Sequence, residues 1–445
     1  MCNPQNSINI FFVSLGCDKN LVDSEYMLGI LQSAGYSFTN TEEDADVIVI
    51  NTCTFIDSAK EESINTILEM AQWKERGRCK ALIATGCLAQ RFSKEIKEEL
   101  PEVDAIIGTN SWDEIAKAVT KVLEQKHFEK IGELTGMPDM SKKRILTSGT
   151  HYAYLKIAEG CDKHCTYCVI PSIRGKYRSV SMEVLIKQAQ DLVEMGVKEL
   201  LLVAQETTLY GVDLYEKKSL HILLQKLAKI DELKWIRILY CYPEEIYPEL
   251  VEEIKNNPKV CHYLDLPIQH CSDRILKKMA RRTSKAELKK TFEMLRREIP
   301  DIALRTTVIC GFPGETKEEH KELLSFIEEI GFDRLGAFAY SREEGTAAAS
   351  FENQIEDETK QLWVDEVMEL QQEICEEKCC EMIGTHLKVL VEGTAENVYV
   401  CRTYRDAPDI DGYLFLETSQ ILHTGDFVNV KVTGAYEYDL IGELE

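Results

Sequence analysis

Short apolar runs alternate with amphipathic stretches over the first 140 residues. The runs cover 8–14, 47–51 and 80–85, and the amphipathic stretches include 57–73 and 111–124. Strands alternating with helices predict βαβ units and a parallel sheet with helices on its faces. From 141 to 378 the same rhythm recurs six times, with strands expected at 152–158, 199–204, 235–240, 263–268, 304–309 and 335–340. Helical patterns such as 181–195 and 284–297 separate them. Six such units suit an open, partial barrel whose site lies at the C-terminal edge of its strands. A linker carrying Gly132, Gly136, Pro138 and Gly149 precedes it. The last segment, 379–445, has β-like runs at 387–392, 412–416 and 426–432 between Gly and Pro turns, which reads as a small β-barrel. The expected fold class is α/β in three domains. A parallel-sheet α/β domain spans 1–140, an open partial (β/α)6 barrel 141–378 and a small C-terminal β-barrel 379–445.

Cysteine usage gives this fold a chemistry. There are 16 cysteines, and residues 1–6 show neither a basic start nor an apolar run, so no signal peptide is expected. No apolar stretch approaches the ~20 residues of a bilayer span. The chain is expected in the cytoplasm, away from membranes, where thiols stay reduced and clustered cysteines point to metal or catalysis rather than disulfides. Each of the first three apolar runs leads into a cysteine: Cys17, Cys53 and Cys87. In a parallel α/β sheet the loops after the strands gather at one edge, so these three thiols are expected to converge there. Their small, polar neighbours in Asn51-Thr52-Cys53 and Thr85-Gly86-Cys87 argue against simple core burial. Cys79, Cys241, Cys261 and Cys310 sit in or beside predicted strands and read as core residues. Cys375, Cys379 and Cys380 lie on a charged predicted helix with no fourth ligand in view, which argues against a further metal site.

A second triad follows the first barrel strand in Gly160-Cys161-Asp162-Lys163-His164-Cys165-Thr166-Tyr167-Cys168. Three thiolates at C-x3-C-x2-C spacing can hold three irons of a [4Fe–4S] cube and leave the fourth iron open to a substrate. A zinc knuckle is the competing reading. Zinc prefers four ligands, and His164, adjacent to Cys165, is awkwardly placed to supply the fourth.

This motif resembles that of the radical-SAM superfamily. The resemblance implies that S-adenosylmethionine occupies the open iron and that an electron from the cluster splits its sulfonium to a 5′-deoxyadenosyl radical. It gives Cys161, Cys165 and Cys168 a catalytic role. It also implies cofactor contacts at Tyr167, at Gln205 and Glu206 after the second strand, and at Gly311 and Glu315 in Cys310-Gly311-Phe312-Pro313-Gly314-Glu315. There the glycines would let backbone approach the adenosine.

With both triads in view the whole chain, from about residue 8 onward, resembles the radical-SAM methylthiotransferases. These combine an N-terminal domain with a second cluster, a central barrel and a C-terminal TRAM domain. The resemblance implies two [4Fe–4S] clusters, one on Cys17, Cys53 and Cys87 and one on Cys161, Cys165 and Cys168, with S-adenosylmethionine as cosubstrate. Two branches of that family matter, one acting on a tRNA adenosine and one, RimO-type, on an aspartate of ribosomal protein S-twelve. The stretch Ser14-Leu15-Gly16-Cys17-Asp18-Lys19-Asn20 resembles the second, although Asp18 stands where that branch usually carries Pro. So do Tyr263-Leu264-Asp265-Leu266-Pro267-Ile268-Gln269-His270 and Asp406-Ala407-Pro408-Asp409-Ile410-Asp411-Gly412.

Charge favours a basic protein partner over RNA. The net charge is −24, and the segment after 380 carries four bases against twelve acids. A surface that grips nucleic acid needs cations to meet phosphate. Asp406, Asp409 and Asp411 are therefore expected to dock a basic ribosomal protein, S-twelve, rather than tRNA. A flavodoxin- or ferredoxin-type electron donor is also expected. The alternatives are methylthiolation of tRNA by the same chemistry and a non-catalytic iron–sulfur carrier.

Overall fold

A computed structural model describes residues 8–445; the leader reading of residues 1–6 lies outside them. Strands β1 (Asn9–Ser14), β2 (Ser37–Phe38), β3 (Val47–Thr52), β4 (Ala81–Gly86), β5 (Ala105–Ile107) and β6 (Phe128–Lys130) form a wholly parallel sheet in the order β2-β1-β3-β4-β5-β6. The central strands β3 and β4 are buried at every position. Parallel strands covered by helices on both faces read as such continuous apolar runs.

A second parallel sheet starts with β7 (Tyr152–Lys156). The chain then leaves it for a short antiparallel ribbon, β8 (Ala158–Glu159) with β9 (Arg178–Ser179). Strands β10 (Glu199–Val203), β11 (Trp235–Ile238), β12 (Val260–Asp265), β13 (Ala303–Cys310) and β14 (Arg334–Ala339) complete the sheet in the order β7-β10-β11-β12-β13-β14. The six expected strands are present with shifted ends. β12 stops at Asp265, two residues before Pro267, which has no N–H to give a ladder. Last come β15 (His386–Ala395), β16 (Val398–Thr403), β17 (Leu414–Glu417), β18 (Phe427–Tyr436) and β19 (Asp439–Leu444), closed into a barrel in the order β15-β16-β17-β19-β18. Its interior is lined by Val389, Val391, Cys401, Leu414, Leu416, Val430 and Val432, all buried.

The chain divides into two compact units that cut across the three expected segments. One holds the described residues up to 147 with Ala158–Val180 and Ser341–Thr346; the other holds Ser148–Ile157, Ser181–Tyr340 and Ala347–Glu445. The loop bearing Cys161, Cys165 and Cys168 therefore belongs with the N-terminal sheet, and the closed barrel belongs with the second sheet.

Within the second unit the closed barrel is fastened to the sheet by buried ion pairs. Glu199 on β10 accepts Arg237 Nε at 2.9 Å and Arg402 Nη2 at 2.5 Å, and all three side chains are fully buried. Arg334 on β14 donates through Nε to Asp406 at 3.0 Å. Arg305 on β13 donates to Asp411 at 3.3 Å, and Tyr263 gives its hydroxyl to the same carboxylate at 2.7 Å. This corrects the docking expectation. The side chains of Asp406 and Asp411 are only 2% and 1% exposed and are spent on arginines of the sheet, so neither is presented to a partner. Asp409 is exposed but already accepts the Tyr152 hydroxyl at 3.1 Å.

Candidate iron–sulfur site

The strands β1, β3 and β4 are neighbours, and each is followed by one cysteine of the first triad. Glycine makes the close approach feasible. Gly16 has φ +86°, and a Cβ there would lie 2.7 Å from Cys53 Cβ; Gly86 has φ +91°, and its Cβ would lie 2.3 Å from Asn51 Oδ1. Asn20, on the helix Asp18–Ser33, laces the loops together by donating to Leu15 O and Thr52 O, each at 3.0 Å. Asn51 donates back to Asn20 O at 2.8 Å and to Ser24 Oγ at 2.9 Å. Ser63 accepts the Cys53 N–H at 2.9 Å. The structure thus brings the three thiols together, near enough that Cys17 and Cys53 each raise the pKa of Cys87.

In the same unit Gly160, with φ +83°, turns the chain into the second triad; a Cβ there would meet Lys176 O at 2.1 Å. Cys161 N donates to Gly175 O and Cys168 N to Cys165 O, both at 3.0 Å. Cys161 and Cys165 raise the pKa of Cys168, so these thiols are mutual neighbours too, whereas His164 is exposed. Burial pushes the Cys87 and Cys168 thiols up to about 12, and bound iron is what would draw off their protons.

The donor set fits the implied clusters. Each triad offers sulfur alone, the ligand of iron–sulfur cubes, and three thiolates leave one iron open. Among the described residues no three His, Cys, Asp or Glu side chains are placed to hold a single metal ion. Cys375 instead accepts Arg334 Nη1 at 2.7 Å, and Cys380 is exposed. Cys79, Cys241, Cys261 and Cys310 are all buried.

The residues expected at the cofactor are divided between the units. Tyr167 lies in the first, and Gln205, Glu206, Gly311 and Glu315 lie in the second. Glu206 is buried and accepts the Thr208 N–H at 3.0 Å. Two of these residues have close partners within the second unit. Glu315 turns inward, its Oε2 accepting Gly311 N at 2.7 Å and Phe312 N at 3.0 Å, so it braces the loop. Lys360 from the helix Asp357–Glu381 occupies the space beside Gly311, where an added Cβ would meet its Cγ at 2.3 Å. With φ +77° and this close neighbour, position 311 has no room for a side chain of its own.

Sequence reasoning missed Arg174. It is fully buried and donates to Asp23 at 2.8 Å, Glu159 at 3.2 Å, Cys87 Sγ at 3.3 Å and also Asn20 Oδ1. One signal was available. The helix Asp18–Ser33 buries Lys19, Asn20, Asp23, Ser24 and Glu25, polar residues that a helix packed only against apolar core would not place inside.

Three family models match the chain: Uncharacterized protein family UPF0004 over residues 9–108, Radical SAM superfamily over 155–327 and TRAM domain over 383–444. Among curated proteins, the chain is 56% identical to a protein of Lachnoclostridium phytofermentans called ribosomal protein uS12 methylthiotransferase RimO, over 98% of this chain and 100% of that one. A protein of the same name from Clostridioides difficile is 49% identical, over 98% and 99% of the two chains. Among solved structures, the radical S-adenosylmethionine methyltransferase TsrM of Kitasatospora setae, with cobalamin and a [4Fe–4S] cluster bound, superposes with a TM-score of 0.55 at 12% identity. It covers 88% of this chain and 80% of that one, a likeness of fold. With a radical-SAM domain between the other two and near-full-length identity of this order to the RimO proteins, the chain belongs to the RimO-type radical-SAM methylthiotransferases.

Proposed function

We propose that the chain inserts a methylthio group at the β-carbon of an aspartyl residue in ribosomal protein uS12. The observation that carries this reading is the 56% identity, over almost the whole chain, to a protein called a uS12 methylthiotransferase. The grouping of two thiol triads in one compact unit supports it. The target C–H bond has no useful acidity, so side-chain acids and bases cannot open it; S-adenosylmethionine with an open-iron cluster, when bound, supplies the radical chemistry it needs.

The chain's own residues have three tasks. Cys161, Cys165 and Cys168 hold the cluster that meets S-adenosylmethionine, and Tyr167, beside Cys168, contacts that cofactor. Cys17, Cys53 and Cys87 hold a second cluster, with Asn20 and Ser63 fixing the loops on which the thiols sit. The third task is to keep water and stray hydrogen donors away from the reacting carbon. An electron donor of the flavodoxin or ferredoxin type serves the reaction in the cytoplasm. Among the described residues no helix is long and apolar enough to cross a membrane.

Mass spectrometry of uS12 and of bulk tRNA from a strain lacking this gene tests the substrate. The expected result is an unmodified uS12 aspartate with tRNA unchanged. Loss of a tRNA methylthio group with uS12 unaffected would move the chain to the tRNA-modifying branch of the family.

A further inference from the structure

The guanidinium of Arg174 bonds the thiol of one triad and stands on the segment of the other. It donates to Cys87 Sγ at 3.3 Å. On its other edges it meets Asp23 and Glu159, and Glu159 lies two residues before Cys161. All these residues belong to the first compact unit. Neither the helix that carries Asp23 nor the thiol loops need an arginine to close; their backbone is laced by Asn20, Asn51 and Ser63. What Arg174 adds is a cation with fixed donors at a sulfur.

We infer that Arg174 is a positioning residue for the second cluster, its N–H bond to Cys87 setting that cluster's reduction potential while Asp23 and Glu159 moderate its charge. The inference rests on the reading that Cys17, Cys53 and Cys87 hold a cluster. The physical reason is direct. Hydrogen bonds to cluster sulfurs and nearby positive charge stabilise the reduced, more negative state, and these are among the levers that set iron–sulfur potentials. The guanidinium is held by two carboxylates, one at 2.8 Å and one at 3.2 Å, so its own charge is largely spent locally. Its directed N–H toward the sulfur is the remaining influence. Removing the donor and removing an opposing carboxylate should therefore move the potential in opposite directions, a pattern that loss of structure alone does not produce.

The test uses full-length protein reconstituted anaerobically with iron and sulfide. Iron is counted, and each cluster is titrated electrochemically by electron paramagnetic resonance. Added S-adenosylmethionine marks the signal of the cluster it binds, and the other signal reports the second cluster. Arg174→Lys keeps a cation for the two carboxylates but cannot span all four partners, so the sulfur loses its donor. The second-cluster potential should fall by at least a tenfold change in its reduction equilibrium, about 59 mV for one electron. Asp23→Asn removes an opposing charge and should raise it. Unchanged potentials in both variants, or shifts of the same sign, would overturn the proposal. Should Arg174→Lys fail to load, the sign found for Asp23→Asn decides alone: a rise supports the proposal, and no change or a fall overturns it. Wild-type protein that takes up only one cube's worth of iron would instead refute the second-cluster reading itself.

Discussion

Replacing Asp406 by Asn should lower the thermal stability of the second unit and leave encounter with a basic protein unchanged. The carboxylate is 2% exposed and its partner Arg334 10%, so solvent does not screen the pair. Asp406 also accepts the Thr403 hydroxyl at 2.6 Å, and its carbonyl takes Arg402 Nη1 at 3.0 Å. Removing one member of a buried pair typically costs about 3–5 kcal/mol, because the remaining charge stays buried without its counter-ion. Asn keeps the shape and one acceptor oxygen, and Arg334 still reaches Asp333 O at 3.1 Å and Tyr438 O at 3.2 Å. The lower end, about 3 kcal/mol, is therefore expected. A unit of this size shifts by about 2 °C per kcal/mol, giving about 6 °C. Asp409→Asn serves as the control: an exposed carboxylate with one Tyr152 bond should give about 2 °C or less. Calorimetric scans of the three proteins, beside association rates with uS12 across a salt series, separate the cases. A variant at 406 that melts like wild type but associates more slowly would refute the buried-pair account and restore the docking one.

Three further outcomes follow from the same geometry. Burial, outweighing Arg305 and Arg334, raises the Asp411 carboxyl above the usual range. Such a group holds its proton more tightly folded than unfolded, so its contribution falls as pH climbs from about 3.9 through the folded value and is flat beyond. The stability deficit of Asp411→Asn should accordingly narrow between pH 4 and pH 7 in denaturant titrations; a widening deficit contradicts the sign. The triple change of Cys17, Cys53 and Cys87 to Ala should lower bound iron from about eight to about four per chain, keep cleavage of S-adenosylmethionine and abolish thiolation. Full iron retention in that variant would disprove the ligand assignment. Cys161→Ala should end 5′-deoxyadenosine formation, and a normal yield would sink the assignment of that loop.

The layout of the fold was legible wherever local periodicity carries it. β3 and β4 open with four apolar residues each and are buried throughout because both faces are covered, and the cysteine after each marks the strand's C-terminal end. β2, of two residues, and β5 and β6, of three each, are too short to show a period. The closed barrel was half read because its closure is non-local. β19 pairs parallel with β17 and antiparallel with β18, and no turn signal announces the first of these. The thiol triads were visible as spacing; Arg174 was not, since only folding brings it to Cys87 from 87 positions away in sequence.

The surface charge of the last segment was illegible for a related reason. Counting twelve acids against four bases after residue 380 treats every acid as outward-facing. Asp406 and Asp411 face inward, and their counter-ions Arg334 and Arg305 come from β14 and β13, outside the segment that was counted. Glu392 is likewise taken up by Arg402 at 2.8 Å and His151 at 2.7 Å. A segment's net charge describes its surface only when its ions pair within the segment. Where a module is fastened to its neighbour by buried arginines, part of its excess acidity is taken up there. Preference for uS12 over tRNA therefore rests on the near-full-length likeness to the RimO proteins and on no feature of the acidic turn.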